Sequence, residues 1–405
     1  MLIIVVGAGV VGLSIAWRLA EDGAQVTVVD PEPGGGATHA AAGMLAPVSE
    51  YWCQEELLLE LALHAAQTYP QVTQRLRSTG VDLHHRQEGT IVAAATRADQ
   101  QTLARLQQAQ ARHGFPVESL TTRAARQLEP ALAPRLAGAF FSSADHALDP
   151  RALTEAYVQA LQAHPQVTVY RHCVVALIRR GDKVTGVQDD SGTGYFGDTV
   201  ILANSLAATQ LQGLPRQWDP RLRPVYGDTI RLEAPDTASA AMFGPHHVIR
   251  ALVEDRAIYV VPRGDGRYVV GATSREDHRS GPPAGAVYRL LRDAHRVVPD
   301  VLEMQVTEIV SRARPATPDQ LPLIGHLSPG LIAATGTYRH GVLLSTAIAE
   351  TVSSLVQDKP APVCLEAFDP WRGHPNSNTS FSQPNSAGKE HHHDRAQRQI
   401  VLDHS

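Results

Sequence analysis

The residues of this 405-residue chain with the plainest chemical use are Gly7, Gly9, Gly12 and Asp30, in the opening stretch MLIIVVGAGVVGLSIAWRLAEDGAQVTVVD. Gly7 permits a tight turn, Gly9 lets the backbone approach a pyrophosphate, and Gly12 lets a helix pack close to a strand. A helix starting after that turn faces the pyrophosphate with free N–H groups and a positive dipole end. Asp30, 18 residues beyond Gly12, accepts from a ribose hydroxyl and repels a 2′-phosphate. The set reads as a site for an adenine dinucleotide with a free ribose, FAD or NAD rather than NADP. A glycine turn alone is weak evidence. Here the apolar run Leu2 to Val6 precedes it, an apolar helix pattern follows, and Val26 to Val29 leads into Asp30, which is the context the reading requires.

Two further stretches favour a flavin. Residues 34–44, GGGATHAAAGM, are nearly all tiny, so a backbone can lie against a large flat ligand. The apolar run 330–335 passes through Gly336-Thr337-Tyr338-Arg339-His340-Gly341 into an apolar helix over 342–356. That second helix N-terminus suits the electron-rich edge of a reduced flavin. Arg339 sits in the tight loop between strand and helix, and Arg314 shares a strand face with Arg312. A guanidinium meets a carboxylate with two parallel N–H···O bonds and stays charged. Arg314 and Arg339 are therefore the candidate carboxylate clamp, with Arg312 as the alternative. Tyr259 reads equally as a pocket residue or as a core aromatic.

The elements that must position these residues follow from pattern. Helices are expected over 55–79, 97–113, 150–163 (capped by Asp149, with Pro150 in its first turn) and 286–297. Residues 81–95 read as two short strands around Gln87-Glu88-Gly89, and strands recur near Phe140 and over 167–169, 174–178, 183–188 and 198–203. Alternation over 223–232, 247–253, 257–261 and 267–272 predicts an antiparallel sheet. The expected fold is α/β: a discontinuous Rossmann-like FAD-binding domain (1–50, 145–215 and 310–365) with an interleaved α+β, antiparallel-sheet substrate domain (51–144 and 216–309). Residues 369–405 read as a disordered tail, and its His391-His392-His393 as low-complexity sequence rather than a metal site.

Composition excludes several classes. The net charge of −5 gives no basic footprint for nucleic acid, and no apolar run is long enough to span a membrane. The N-terminal apolar run lacks a basic region before it, so it reads as a strand rather than a signal peptide. Cys53, Cys173 and Cys364 are too few and too scattered for a disulfide framework or a zinc site, which fits a cytoplasmic protein.

The ordered set VVGAGVVGLSIAWRLA, GGGATHAAAGML, YVVPRGDGRYVVGAT, RARPATPDQLPLIG and ATGTYRHGVLLSTA resembles the D-amino-acid oxidase superfamily over residues 1–365. Within it, AAAGML with VPR…VVGAT and RPATPDQLPLIG is most similar to the glycine oxidases of thiamine thiazole synthesis. The resemblance implies non-covalent FAD, because positions used for covalent attachment in relatives fall here on Arg312 and Ala40. It implies FAD contacts at Val10, Val11, Asp30, Ala37, Thr38, Ala42, Gly43, Met44 and Val175, and at Thr337, Tyr338, Arg339, His340, Gly341, Val342 and Leu343. Arg314 and Arg339 would hold the substrate carboxylate, with Tyr259 lining the pocket. Where relatives show Ala-Ser-Gly or Ala-Ala-Gly, this chain has Ala203-Asn204-Ser205, so the backbone approach there differs.

The implied activity is oxidation of glycine or another small amino acid to an imine, hydrolysed to a 2-oxo acid and ammonia. Oxygen would be the second substrate and hydrogen peroxide a product. No protein acid or base is assigned. A homo-oligomer and a hand-off of the glycine imine to a thiazole synthase are also implied. The alternatives are a D-amino-acid or N-methyl-amino-acid oxidase or dehydrogenase, an NAD-dependent dehydrogenase sharing only the first motif, and an inactive cofactor-binding module.

Overall fold

The computed structural model describes residues 1–51, 55–235 and 244–373. The opening run is apolar on both sides, and such a strand is stable only when covered on both faces. Leu2–Val6 accordingly lies inside a six-stranded sheet, between Thr199–Leu202 and Gln25–Val29. Val167–Tyr170 extends one side and Leu331–Thr335 the other, all parallel, while Leu323–Ser328 closes the edge antiparallel. Ile3 and Val5 face a core built with helices Val10–Glu21, Glu56–Leu76, Pro150–Ala163 and Gly341–Val356. Ile4 and Val6 face the opposite way, against a three-stranded meander of Val174–Arg180, Lys183–Asp189 and Gly194–Phe196.

The second sheet has eight strands. Their order is Gln305–Ala316, Arg223–Glu233, Arg267–Gly271, Arg256–Pro262, Val248–Val253, Thr90–Ala94, Gly138–Ser142 and Val117–Leu120. The alternating segments pair antiparallel as expected, but Val248–Val253 runs parallel to Thr90–Ala94. Alternation sorts the two faces. Ile249, Ala251, Val253, Ile258 and Val260 pack with Leu290 and Ala294 of helix Ala284–His295. Val248, Tyr259 and Val261 turn the other way, onto Ala42, Met44 and Ala147. That second face meets the parallel-sheet unit, and the candidate site lies between them.

Local expectations needed correction in three places. Residues 81–95 hold one strand, Thr90–Ala94, instead of two. The segment before it turns at Asp82, whose Oδ1 accepts from His84 N, and then makes a single bridge from Arg86 to Ala147. The helix expected over 55–79 ends at Leu76 and tightens into a 3₁₀ turn, Arg77–Thr79. The segment expected to begin a tail at 369 is packed through 372. Arg372 binds both oxygens of Asp319, and the Trp218 indole donates to Pro370 O. Cys53 and His391-His392-His393 lie outside the described residues. Among the described residues no helix is long and apolar enough to cross a membrane.

Candidate active site

The glycine turn has the geometry its residue types require. Gly7 adopts φ +103°, and a Cβ there would lie 2.6 Å from the backbone of Ala203. A Cβ on Gly12 would lie 1.9 Å from Gly7 O, so only glycine lets the helix Val10–Glu21 approach the strand this closely. Gly9 is that helix's N-cap, and the Thr38 hydroxyl accepts from Val10 N at 3.1 Å. Asp30 accepts from Ala8 N at 2.7 Å and from Glu32 N at 2.7 Å, which fixes the carboxylate at the mouth of the turn. Ala203-Asn204-Ser205 crosses above Gly7, and Ser205 takes φ +58°, a left-handed conformation that a glycine would adopt without cost.

The tiny-residue loop is pinned from behind. Ala37–Ala40 forms one helical turn. Arg151 and Arg231 donate to His39 O at 2.9 and 3.3 Å, Thr229 to Ala40 O at 3.2 Å, and the buried Arg263 to Ala42 O at 2.8 Å and Leu148 O at 2.9 Å. Gly43, at φ +76°, is locked to Leu148, whose N donates to Gly43 O. Carbonyls used this way turn the other side of the loop toward a shared cleft of about 470 Å³.

That cleft gathers most of the predicted residues. Gly7, Gly9, Val10, Val11, Asp30, Ala37, Thr38, Ala42, Gly43, Met44, Tyr259, Arg314, Thr337, Tyr338, Arg339, Gly341 and Val342 all line it. Gly12 lies beneath the turn, in keeping with its packing role. His340 and Leu343 do not line it. Leu343 belongs to the helical core, and the His340 ring is buried, accepting from Arg339 Nε at 3.0 Å. Val175 does not line it either. Its side chain is exposed and its carbonyl accepts from Gln212 N, so Cys173 and Val174 face the cleft in its place.

At the far end, the Arg314 guanidinium lies flat against Gly227, where a Cβ would sit 2.1 Å from Nη2, and it donates to Thr273 O at 3.1 Å. Arg312 is spent on Gly35 O. Arg339 donates to Glu55 Oε1 at 2.7 Å. Tyr259 stands close over Gly271, and burial pushes its phenol up to about 12. It therefore stays a neutral hydroxyl.

Two residues here escaped the sequence reading. Arg250 pairs across the strands with Tyr259, and its guanidinium binds Glu50. Glu50 Oε2 also faces His340 Nδ1 at 3.6 Å. Burial opposes ionisation of Glu50, but Arg250 and His340 outweigh it and hold the carboxyl well below the usual range. The available signal was a charged residue, Arg250, inside an apolar alternation.

The cleft fits a dinucleotide. Above Gly9 an added Cβ would meet only the Thr38 hydroxyl, at 3.5 Å, and above Gly36 nothing within 4 Å, so bare backbone is left open to a ligand. Each Asp30 oxygen takes one N–H, which leaves lone pairs for ribose hydroxyls. Comparison with known proteins agrees. A family model for FAD dependent oxidoreductases (DAO) matches residues 3–355. The bifunctional protein ThiO/ThiG of Nostoc sp. is 30% identical over 382 residues, 93% of this chain, and the chain spans only 56% of that relative's length. The glycine oxidase of Geobacillus kaustophilus is 31% identical over 373 residues, 90% of this chain and 95% of the relative. The crystal structure of glycine oxidase from Geobacillus kaustophilus superposes with a TM-score of 0.83 at 30% identity, covering 91% of this chain and 98% of the other. A glycine turn, an acid at its mouth and a pinned small-residue loop in one cleft, matched from residue 3 to residue 355, show that the chain belongs to the FAD dependent oxidoreductase (DAO) family.

Proposed function

We propose that the protein oxidises glycine, or an amino acid nearly as small, at its α-carbon. The imine so formed is hydrolysed to glyoxylate and ammonia, and oxygen is reduced to hydrogen peroxide. The observation that carries this reading is the Arg314 guanidinium, which faces the same cleft as the glycine turn with one backbone acceptor among the described residues. Bound FAD supplies the acceptor for the hydride. The chain's own part is to hold and orient. Arg314 takes the substrate carboxylate through parallel N–H···O bonds, Arg339 is the second donor, and the Tyr259 hydroxyl, which stays protonated, faces the same space. Gly7, Gly9, Asp30, Thr38 and the 42–44 loop hold the cofactor, and the first turn of helix Gly341–Val356 faces it. In this reading the six-stranded sheet carries the cofactor and the eight-stranded sheet carries the substrate pocket.

A place in thiazole formation rests on the resemblance above and fits the bifunctional ThiO/ThiG relative, of whose length this chain spans 56%. The product would then be consumed by an enzyme that condenses the imine of glycine. The test is anaerobic addition of glycine to the purified yellow protein. Bleaching of the flavin, reversed by air with release of peroxide, is the expected result. Bleaching by D-alanine or sarcosine but not by glycine would move the substrate. A flavin that no small amino acid bleaches would overturn the reading.

A further inference from the structure

Arg314 gives the substrate end of the cleft a cation. The same end also holds an anion. Asp30, Glu32 and Glu50 are the carboxylates lining the cleft among the described residues. Asp30 and Glu32 belong to the glycine turn, where Asp30 binds Ala8 N and Glu32 N. Glu50 stands apart from them, in a group with Arg250, His340 and Tyr259. Its side chain is 12% exposed, one oxygen accepts from Arg250 Nη1, and the other faces His340 Nδ1 at 3.6 Å. Arg250 pairs with Tyr259 across adjacent strands, and the Tyr259 hydroxyl lies within the fields of Arg314, Glu50 and Arg250 together. A carboxylate offers about four lone-pair positions, and these two partners use two of them. The unused positions border a space that already contains the carboxylate-binding guanidinium.

We propose that Glu50 receives the amine nitrogen of the substrate, so that Arg314 and Glu50, which line the same cleft as Tyr259, recognise an α-amino acid as a zwitterion. This rests on the amino-acid-oxidising reading above and adds a specificity residue to it. Arg314 alone accepts any small carboxylate. Glu50 adds a preference for acids that carry a cationic or N–H-donating group next to the carboxylate. Tethering the nitrogen also fixes the rotation of the α-carbon about its bond to the carboxyl group, which one clamp cannot do. The competing account is that Glu50 serves only to neutralise Arg250.

Acetate, which is glycine without its amine, separates the two accounts. Wild type, Glu50→Gln and the double variant Glu50→Gln/Arg250→Met are titrated with acetate, followed by perturbation of the flavin spectrum and by calorimetry. The same proteins are titrated with glycine, followed by the concentration dependence of anaerobic flavin reduction. The expected result is a tenfold or greater rise in the half-saturating glycine concentration in both variants, with the acetate Kd within twofold of wild type. The double variant leaves no unpaired charge, so it keeps the test alive if Glu50→Gln fails to fold. Equal weakening of acetate and glycine, unchanged glycine binding, or recovery of glycine binding in the double variant would each overturn the assignment. If another amino acid reduces the wild-type flavin, the comparison runs with it and its des-amino acid. If none does, the oxidase reading falls and takes Glu50's role with it, whereas failure of the Glu50 variants alone leaves that reading standing.

Discussion

Arg339 Nη2 donates to Glu55 Oε1 at 2.7 Å, so one of the two candidate carboxylate-binding guanidiniums is already engaged by an acid. Its Nε is engaged as well, by His340 Nε2 at 3.0 Å. The two charged side chains are 31% and 22% exposed, and a pair that wet contributes about 0.2–1 kcal/mol. A carboxylate that binds Arg339 would therefore compete with a weak internal partner. Glu55→Gln is expected to tighten acetate binding by a factor of about 1.5–5, read as the Kd from flavin spectral titration. Weaker acetate binding in that variant would show that Glu55 aims Arg339 rather than withholding it.

Arg314 is placed differently, flat on Gly227 with one hydrogen bond to Thr273 O. Removing it deletes a charge-assisted contact and leaves no acid stranded beside it. Arg314→Ala should raise the acetate Kd by a factor of about 10–150, the range for hydrogen bonds to charged groups. Arg314→Lys should recover only part of this, because an ammonium keeps the charge but loses the fork. FAD content, measured by absorbance ratio, should match wild type in both, since the glycine turn and Asp30 lie at the other end of the cleft. Loss of FAD in both variants would move Arg314 from the substrate to the cofactor.

The cofactor end was legible in the sequence because its logic is local. Gly7, Gly9, Gly12 and Asp30 fall within one strand–turn–helix–strand unit, and each is explained by a contact inside that unit or one crossing above it. Arg314 and Arg339 line the same cleft; Arg339 was singled out by its loop between strand and helix, and Arg314 by the strand face it shares with Arg312 and by the family resemblance. Glu50 and Arg250 were not legible. Their meeting depends on the register that sets Arg250 opposite Tyr259 and on the parallel pairing with Thr90–Ala94, a partner distant in sequence. The alternation in Val248–Val253 identifies a strand but not which face meets the cleft. Val175 does not line the cleft: its carbonyl accepts from Gln212 N, and Val174 lines the cleft one position earlier.

Gly12 gives a prediction about stability rather than binding. A Cβ there would sit 1.9 Å from Gly7 O, 2.9 Å from Gly7 C and 3.3 Å from the Ala203 Cβ. The first two are backbone atoms of the tight turn and cannot move without opening it. Gly12→Ala should cost about 1–3 kcal/mol, the usual penalty for overpacking a close contact. It should also lower the melting temperature of the FAD-free protein and weaken FAD retention on gel filtration. An FAD-free melting temperature equal to that of wild type would show that the turn has room the contacts do not reveal.

A pH effect on stability follows from His85. Its ring meets His146 at 5.5 Å between centroids, and its Nε2 is buried without a hydrogen-bond partner among the described residues. Burial, then His146 and Arg77, pull His85 down to about 4, and burial lowers His146 too. The folded protein therefore keeps these rings neutral over a range in which the unfolded chain binds protons near pH 6.5. Stability from this site is fully present above pH 6.5. It falls as the unfolded chain takes up protons below that point, and the loss is complete once the pH passes below about 4. The drop should be on the order of 1–3 kcal/mol, visible as a lower urea midpoint at pH 5 than at pH 7.5. His85→Gln should flatten that difference, because the replacement does not titrate. An equal drop in the variant would place the acid sensitivity elsewhere, with His146 the next ring to examine, since the Glu129–His247 pair acts only at lower pH. Glu129 is held below its ordinary range by His247 and by the backbone N–H groups of His246 and His247, against its own burial. Its contribution is present above pH 4.5 and fades as the pH falls below that, so the two sites separate by the window in which stability is lost.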